Sequence, residues 1–271
     1  MDIGMKVSKI INKGKRLIIP YLFFTIVSIL LKTVFGSFAS NPLNYGTLVT
    51  DILTGRNNPN GGLWFLYALF IISAVGILLN HVDIRLMLAS TFILYLFNCF
   101  VFHQSGQILG FFLEYAWYYF GGGFFRKYLY ESARKTGALL SAYGKLIIGA
   151  TAIVYIAIVY VRVYLVNLWL FSVLVTWGGI LLLCFLAILT EVSNRKYMKN
   201  IWMLLGDYGM DIYMIGYYVQ QVLYVFMGKM LKMDYLVYAW CMCIFGLIVP
   251  VFISKYIIRK NKVLSFLILG W

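Results

Sequence analysis

Gly14-Lys15-Arg16-Leu17-Ile18-Ile19-Pro20-Tyr21 is the point at which this chain turns from basic to apolar. Five Lys and Arg lie between positions 6 and 16, and a predominantly apolar run follows over 17–35. A bilayer-crossing helix needs about 20 such residues, with about 17 as the lower limit. Cations directly N-terminal to the run hold that end on the cytoplasmic side. This stretch therefore predicts a membrane helix of fixed orientation. Because the run is a full span, it reads as a retained signal anchor and not as a cleaved leader.

The same pattern recurs. Further apolar stretches occupy 62–80, 86–103, 108–125, 142–161, 167–190, 208–228 and 235–254. Apolar residues make up 63% of the chain and charged residues 12%, with a mean hydropathy of +0.87. A soluble domain is only about half apolar. The expected fold class is therefore all-α integral membrane, a polytopic bundle of about eight transmembrane helices with both termini cytoplasmic. It forms a single membrane domain over 1–271, with a basic cytoplasmic lead at 1–16 and an interfacial tail at 255–271.

The net charge of +14 fits this topology. Threading eight spans from a cytoplasmic N-terminus leaves most cations inside: five in 6–16, Arg85, five in 126–145, three in 195–199 and four in 255–262. Only Lys32, Arg56, Arg162, Lys229 and Lys232 fall outside. This is the positive-inside bias, so the basic excess is topogenic. No soluble basic module is present, and nucleic acid is excluded as a partner. The bilayer is the expected partner, and nothing in the sequence specifies an oligomeric state.

Cys99, Cys184, Cys241 and Cys243 all lie in apolar runs, where free Cys behaves as a small hydrophobe. No Cys or His set has metal-ligand spacing, so no metal is expected. Most connections are short. The inner loop 126–141 is basic and aromatic and suits the cytoplasmic membrane surface. The outer segment 36–61 carries Pro42, Pro59 and the run Arg56-Asn-Asn-Pro-Asn-Gly-Gly. A long irregular connection of this kind is commonly functional, and it is expected to fold over, or partly re-enter, the outer mouth of the bundle.

A carboxylate within hydrocarbon is a functional candidate, because its charge costs at least ~2.5 kcal/mol there. Glu114 sits about two turns into the span 108–125 and has the chemistry of a general base toward a hydroxyl. Asp207 and Asp211, four apart, share one helix face. Asp207 after Gly206 reads as a helix N-cap, while Asp211 lies a turn deeper and is a second catalytic candidate. Gln220 and Gln221 extend the polar character of that span and are expected to face inward. Of the two histidines, His81 lies on an inner turn, and His103 at an outer helix end is the third catalytic candidate. Aromatic residues at span ends fit an interfacial belt. Trp64 and Tyr67, beside the glycine break at Gly61-Gly62, are candidates for stacking on a sugar.

Four places, in order, resemble the acyltransferase 3 family of membrane-bound O-acyltransferases, especially its fucose 4-O-acetylase-like members. Lys15-Arg16-Leu-Ile-Ile-Pro20-Tyr21 is similar to the start of the family's third helix. Gly62-Leu-Trp64-Phe65-Leu66 is similar to its Leu-Trp-Phe-Leu helix. Tyr119-Phe-Gly-Gly-Gly-Phe-Phe-Arg126-Lys127 resembles a glycine-rich helix end before a basic loop. Leu205-Gly206 with Ile212-Tyr213 resembles a segment near the family's C-terminus. The first match implies a chain without the family's two leading helices and the His they carry. Gly216 stands where a late His is common.

The resemblance implies transfer of an acyl group, expected to be acetyl, from acyl-CoA to a hydroxyl of a cell-envelope polysaccharide or lipid-linked sugar. The implied location is the plasma membrane. Lys15 and Arg16 would contact the donor phosphates. The saccharide or glycolipid acceptor would meet Trp64 and Tyr67, and Glu114, Asp211 or His103 would supply the base. Two other functions fit the same features: a catalytically inactive glycan- or lipid-binding homologue, and a transporter of lipid-linked saccharides. Acyl-CoA-independent substrate movement would mark the transporter.

Overall fold

A computed structural model of the chain describes residues 3–34, 43–54, 59–102, 108–139, 150, 153–157, 160, 169–192 and 196–270. Among these residues the regular structure is helical and no strand occurs. The helices are α1 Ile3–Val34, α2 Leu48–Thr54, α3 Trp64–Leu78, α4 Ile84–Phe97, α5 Ile108–Phe124, α6 Tyr130–Leu139, α7 Trp169–Val192, α8 Lys196–Leu223, α9 Tyr235–Ile253 and α10 Lys262–Leu269. Wider π-type turns extend α4, α5, α8 and α9 at their C-terminal ends. Among the described residues, Gly4–Val34, Ile84–Val101 and Val237–Ile258 are long and apolar enough to cross a membrane. Trp64–Leu78 and Val173–Ile188 are shorter apolar helices.

Several expected boundaries move. The basic lead and the first span form one helix, α1, which passes through Gly14 and Pro20 without ending. The expected inner loop 126–141 is helical as far as Leu139. Its Arg, Lys, Leu, Glu and Ala residues are good helix formers, and no proline interrupts them. α8 begins at Lys196, so the chain is already helical at Gly206 and Asp207 is not an N-cap. Gln220 and Gln221 are exposed, against the expectation that they face inward. The expected span 142–161 falls largely outside the described residues.

The chain divides into two compact units, Met1–Gly123 with Tyr208–Trp271, and Phe124–Asp207. In the first, α1 leaves one apolar stripe outward and buries hydroxyls beside Leu17, Tyr21 and Phe24. Leu22, Ile26 and Leu30, spaced four apart, are exposed, while Thr25 and Ser28 are buried. Lipid is as apolar as leucine, so association there depends on close packing and hydrogen bonds. α3 runs antiparallel to α1: Lys6 Nζ donates to the Leu78 carbonyl at 2.8 Å, and Tyr21 stacks on Tyr67 with ring centroids 5.4 Å apart. One core gathers Leu17 and Tyr21 of α1, Leu63 and Leu66 at the start of α3, Met214 of α8 and Leu269 of α10. A second joins α3, α4 and α5 through Ile72, Met87, Ala116 and Phe120.

The second unit is built on α6 and α7. Tyr130 Oη donates to Glu191 Oε2 at 2.8 Å, and Arg134 Nε lies 3.5 Å from Glu191 Oε1. Gly179 of α7 faces Tyr155, whose hydroxyl would stand 3.0 Å from a Cβ added there.

Candidate functional site

The two motifs that frame the N-terminal half meet in the first unit. Below the Tyr21–Tyr67 stack, Gly14 lies against the Phe70 ring. Above it, Tyr21 Oη donates to the Ile52 carbonyl at 2.9 Å, and Tyr67 Oη to the Leu53 carbonyl at 3.1 Å. α2, inside the long outer segment, is thus held beside the middle of α1 and the first turn of α3.

The glycine break before α3 is explained by α8. Gly61 has φ +29°, a conformation that side chains rarely adopt. Gly62 lies under the Tyr217 ring, where a Cβ would overlap the ring carbons. Tyr213 Oη donates to the Gly62 carbonyl. Asn60, fully buried, donates from Nδ2 to Thr25 Oγ1 at 2.7 Å, and Thr25 in turn donates to the Tyr21 carbonyl at 2.7 Å. Tyr218 Oη donates to the Phe24 carbonyl at 2.9 Å and lies 2.7 Å from Ser28 Oγ. In hydrocarbon each unsatisfied group would cost several kcal/mol, so these bonds fix α1, the break and α8 in one register.

Glu114 projects from α5 and is half-buried among tyrosines. It interacts electrostatically with Tyr115 and with Tyr95 of α4, and Tyr118 interacts with both tyrosines. Tyr115 also packs against Trp64, ring centroids 4.9 Å apart, and Trp64 stacks on Phe111 at 4.8 Å. Glu114 and Trp64, separate candidates in the sequence, are therefore joined through Tyr115. A carboxylate beside phenols in an apolar wall is suited to accept a proton from a hydroxyl brought alongside.

Asp211 is differently placed. It is 3% exposed and accepts hydrogen bonds from Ser254 Oγ and from Arg259 Nη2, the latter at 2.8 Å. Arg259 Nε donates to Ser254 Oγ at 3.2 Å, and its guanidinium lies 4.1 Å from the Tyr208 ring centroid. Asp211 is thus committed to an ion pair between α8 and the turn after α9. Sequence reasoning missed Arg259 and Ser254. The short connection 229–234 makes α8 and α9 antiparallel, and counting outward from it places position 211 opposite about 252, within a turn of Ser254.

Lys15 and Arg16 are exposed on α1, and the C-terminal end of α10 seats on their backbone through Gly270. Asp83 caps α4 by accepting from the Arg85 N–H at 2.7 Å, and the neighbouring His81 is exposed. His103 lies outside the described residues. Gly216, the position of the late family His, would place a Cβ 3.0 Å from the Gly246 carbonyl, so a close crossing of α8 on α9 occupies that position. Among the described residues no three His, Cys, Asp or Glu side chains gather as a metal site.

A family model described as an acyltransferase domain, that of the acyltransferase 3 family, matches residues 6–255. No curated protein and no solved structure matches the chain.

Proposed function

The chain belongs to the acyltransferase 3 family, and from that premise we propose that it is a membrane-bound O-acyltransferase using acyl-CoA, most simply acetyl-CoA. Its acceptor is a hydroxyl of a cell-envelope polysaccharide or a lipid-linked sugar. The observation that carries this reading is the family match over 6–255. The packing of the Lys15–Tyr21 motif against the Trp64 helix supports it, since the two regions that mark the resemblance form one piece of structure.

In this reading the chain crosses the plasma membrane eight times, with both termini cytoplasmic. Lys15 and Arg16, level with the middle of α3 near Phe70, meet the donor's phosphates, which their cations complement. Glu114 accepts the proton of the acceptor hydroxyl, because Asp211 is held by Arg259. The hydroxyl oxygen attacks the thioester carbonyl carbon and the C–S bond breaks. Coenzyme A leaves as a thiolate, takes up the proton, and the sugar keeps the ester. Trp64 and Tyr67 line the approach of the sugar ring.

The test is transfer of labelled acetyl from acetyl-CoA to saccharide acceptors by purified protein in lipid nanodiscs. Acceptor-dependent labelling that Glu114→Gln slows by about a hundredfold or more is the expected result. A folded protein that labels none of a broad acceptor panel contradicts the proposal.

A further inference from the structure

Gly270 ends α10 in a left-handed conformation, φ +72°, and lies against α1 so closely that a Cβ would overlap the Lys15 carbonyl oxygen and the Arg16 Cα. Glycine alone meets both demands without strain. The contact falls one turn before Pro20, which supplies no N–H to the Arg16 carbonyl. The other end of the same segment is fixed as well. Ser254 is fully buried on Asp211, and Arg259 joins the same carboxylate while lying over Tyr208. Between these points Asn261 caps α10, its side chain accepting from the N–H groups of Val263 at 2.9 Å and Leu264 at 3.2 Å. Leu269 is buried in the core. Residues 254–270 are thus a strap pinned at both ends.

We infer that this strap is part of the acyl-CoA donor site, with Gly270 and Arg259 as positioning residues that fix the turn of α1 carrying Lys15 and Arg16. The inference rests on the proposal that those two cations contact the donor. The strap grips the backbone of that turn and leaves both side chains exposed, so a polyanion reaches them in a fixed orientation. Its own Lys260 and Lys262 are exposed too and extend the positive field beside a phosphate-rich ligand. A bulkier residue at 270 must push the strap off α1 or displace the Lys15–Arg16 turn. Either movement weakens donor binding and leaves the acceptor-side chemistry at Glu114 in place.

The experiment is binding of coenzyme A to the full chain in nanodiscs, with kcat and KM for acetyl-CoA measured alongside. Gly270→Val is expected to raise the Kd for coenzyme A and the KM for acetyl-CoA by about tenfold or more, with kcat nearly unchanged. Arg259→Gln is expected to act in the same direction, and Arg259→Lys, which keeps a cation beside Asp211, to restore much of the affinity. This pair keeps the test decisive should Gly270→Val fail to fold. Coenzyme A binding that Arg16→Ala abolishes but Gly270→Val and Arg259→Gln leave unchanged overturns the strap's role alone. A folded wild-type chain that binds no coenzyme A overturns the donor proposal and the strap together.

Discussion

Arg259 donates from Nη2 to the buried carboxylate of Asp211 at 2.8 Å, joining α8 to the turn that leads into the C-terminal helix. Removing one partner of such a pair leaves an uncompensated charge. Arg259 retains some exposure, so Asp211→Ala should cost about 2–3 kcal/mol, below the full buried-pair penalty. Equilibrium unfolding in detergent measures it. Asp211→Asn with Arg259→Met should lose less than the two single changes summed, because the partners are coupled. Strict additivity would show that the pair carries no interaction energy.

Glu114→Gln keeps the shape of the side chain and removes its ability to take a proton. The expected outcome is a fall in kcat of roughly a hundredfold or more, with unchanged unfolding and unchanged coenzyme A binding. Retained kcat would move the base away from Glu114.

Gly62→Ala drives a methyl into the Tyr217 ring and should destabilise the chain by about 1–3 kcal/mol, the usual cost of overpacking. Tyr217→Ala in the same chain should return part of that loss by clearing the ring. Thermal unfolding of the single and double variants reads the effect. Equal stability of wild type and Gly62→Ala would contradict the close packing of α8 on the break.

Tyr130, in the stretch expected at the cytoplasmic surface, donates to Glu191, and that bond raises its pKa above the ordinary phenol value. A raised pKa favours the protonated phenol. The contribution of this bond to folding is therefore complete below about pH 10, the unfolded value. It is lost as pH rises through the higher folded value. Glu191→Gln should lower the Tyr130 titration midpoint, followed by the ring-carbon resonance of labelled tyrosine. An unmoved midpoint would show that Glu191 is not the cause.

Much of the architecture was legible locally. Apolar run length marked the helices, and the glycine break before Trp64 marked where α3 begins. The order of the Lys15–Tyr21 and Trp64 motifs foreshadowed their packing only through the resemblance. Continuity through 125–139 and from Lys196 onward is masked by a rise in polarity that resembles a loop, although helix formers continue through both stretches. The ion pair of Asp211 has no local signal, because its partner lies 48 residues away, among cations already explained by topology. The seat of Gly270 on Arg16 has no local signal at all, because it joins the two ends of the described chain.

The most direct test of the central claim is single-turnover transfer from labelled acetyl-CoA by the purified chain in nanodiscs, with and without saccharide acceptors. The account predicts acetyl ester on the acceptor and free coenzyme A in equal amounts. Arg16→Ala should raise the donor KM, and Glu114→Gln should slow the chemical step by about a hundredfold or more. Coenzyme A binding with no ester formed on any acceptor, or saccharide movement across the bilayer without acyl-CoA, would contradict it.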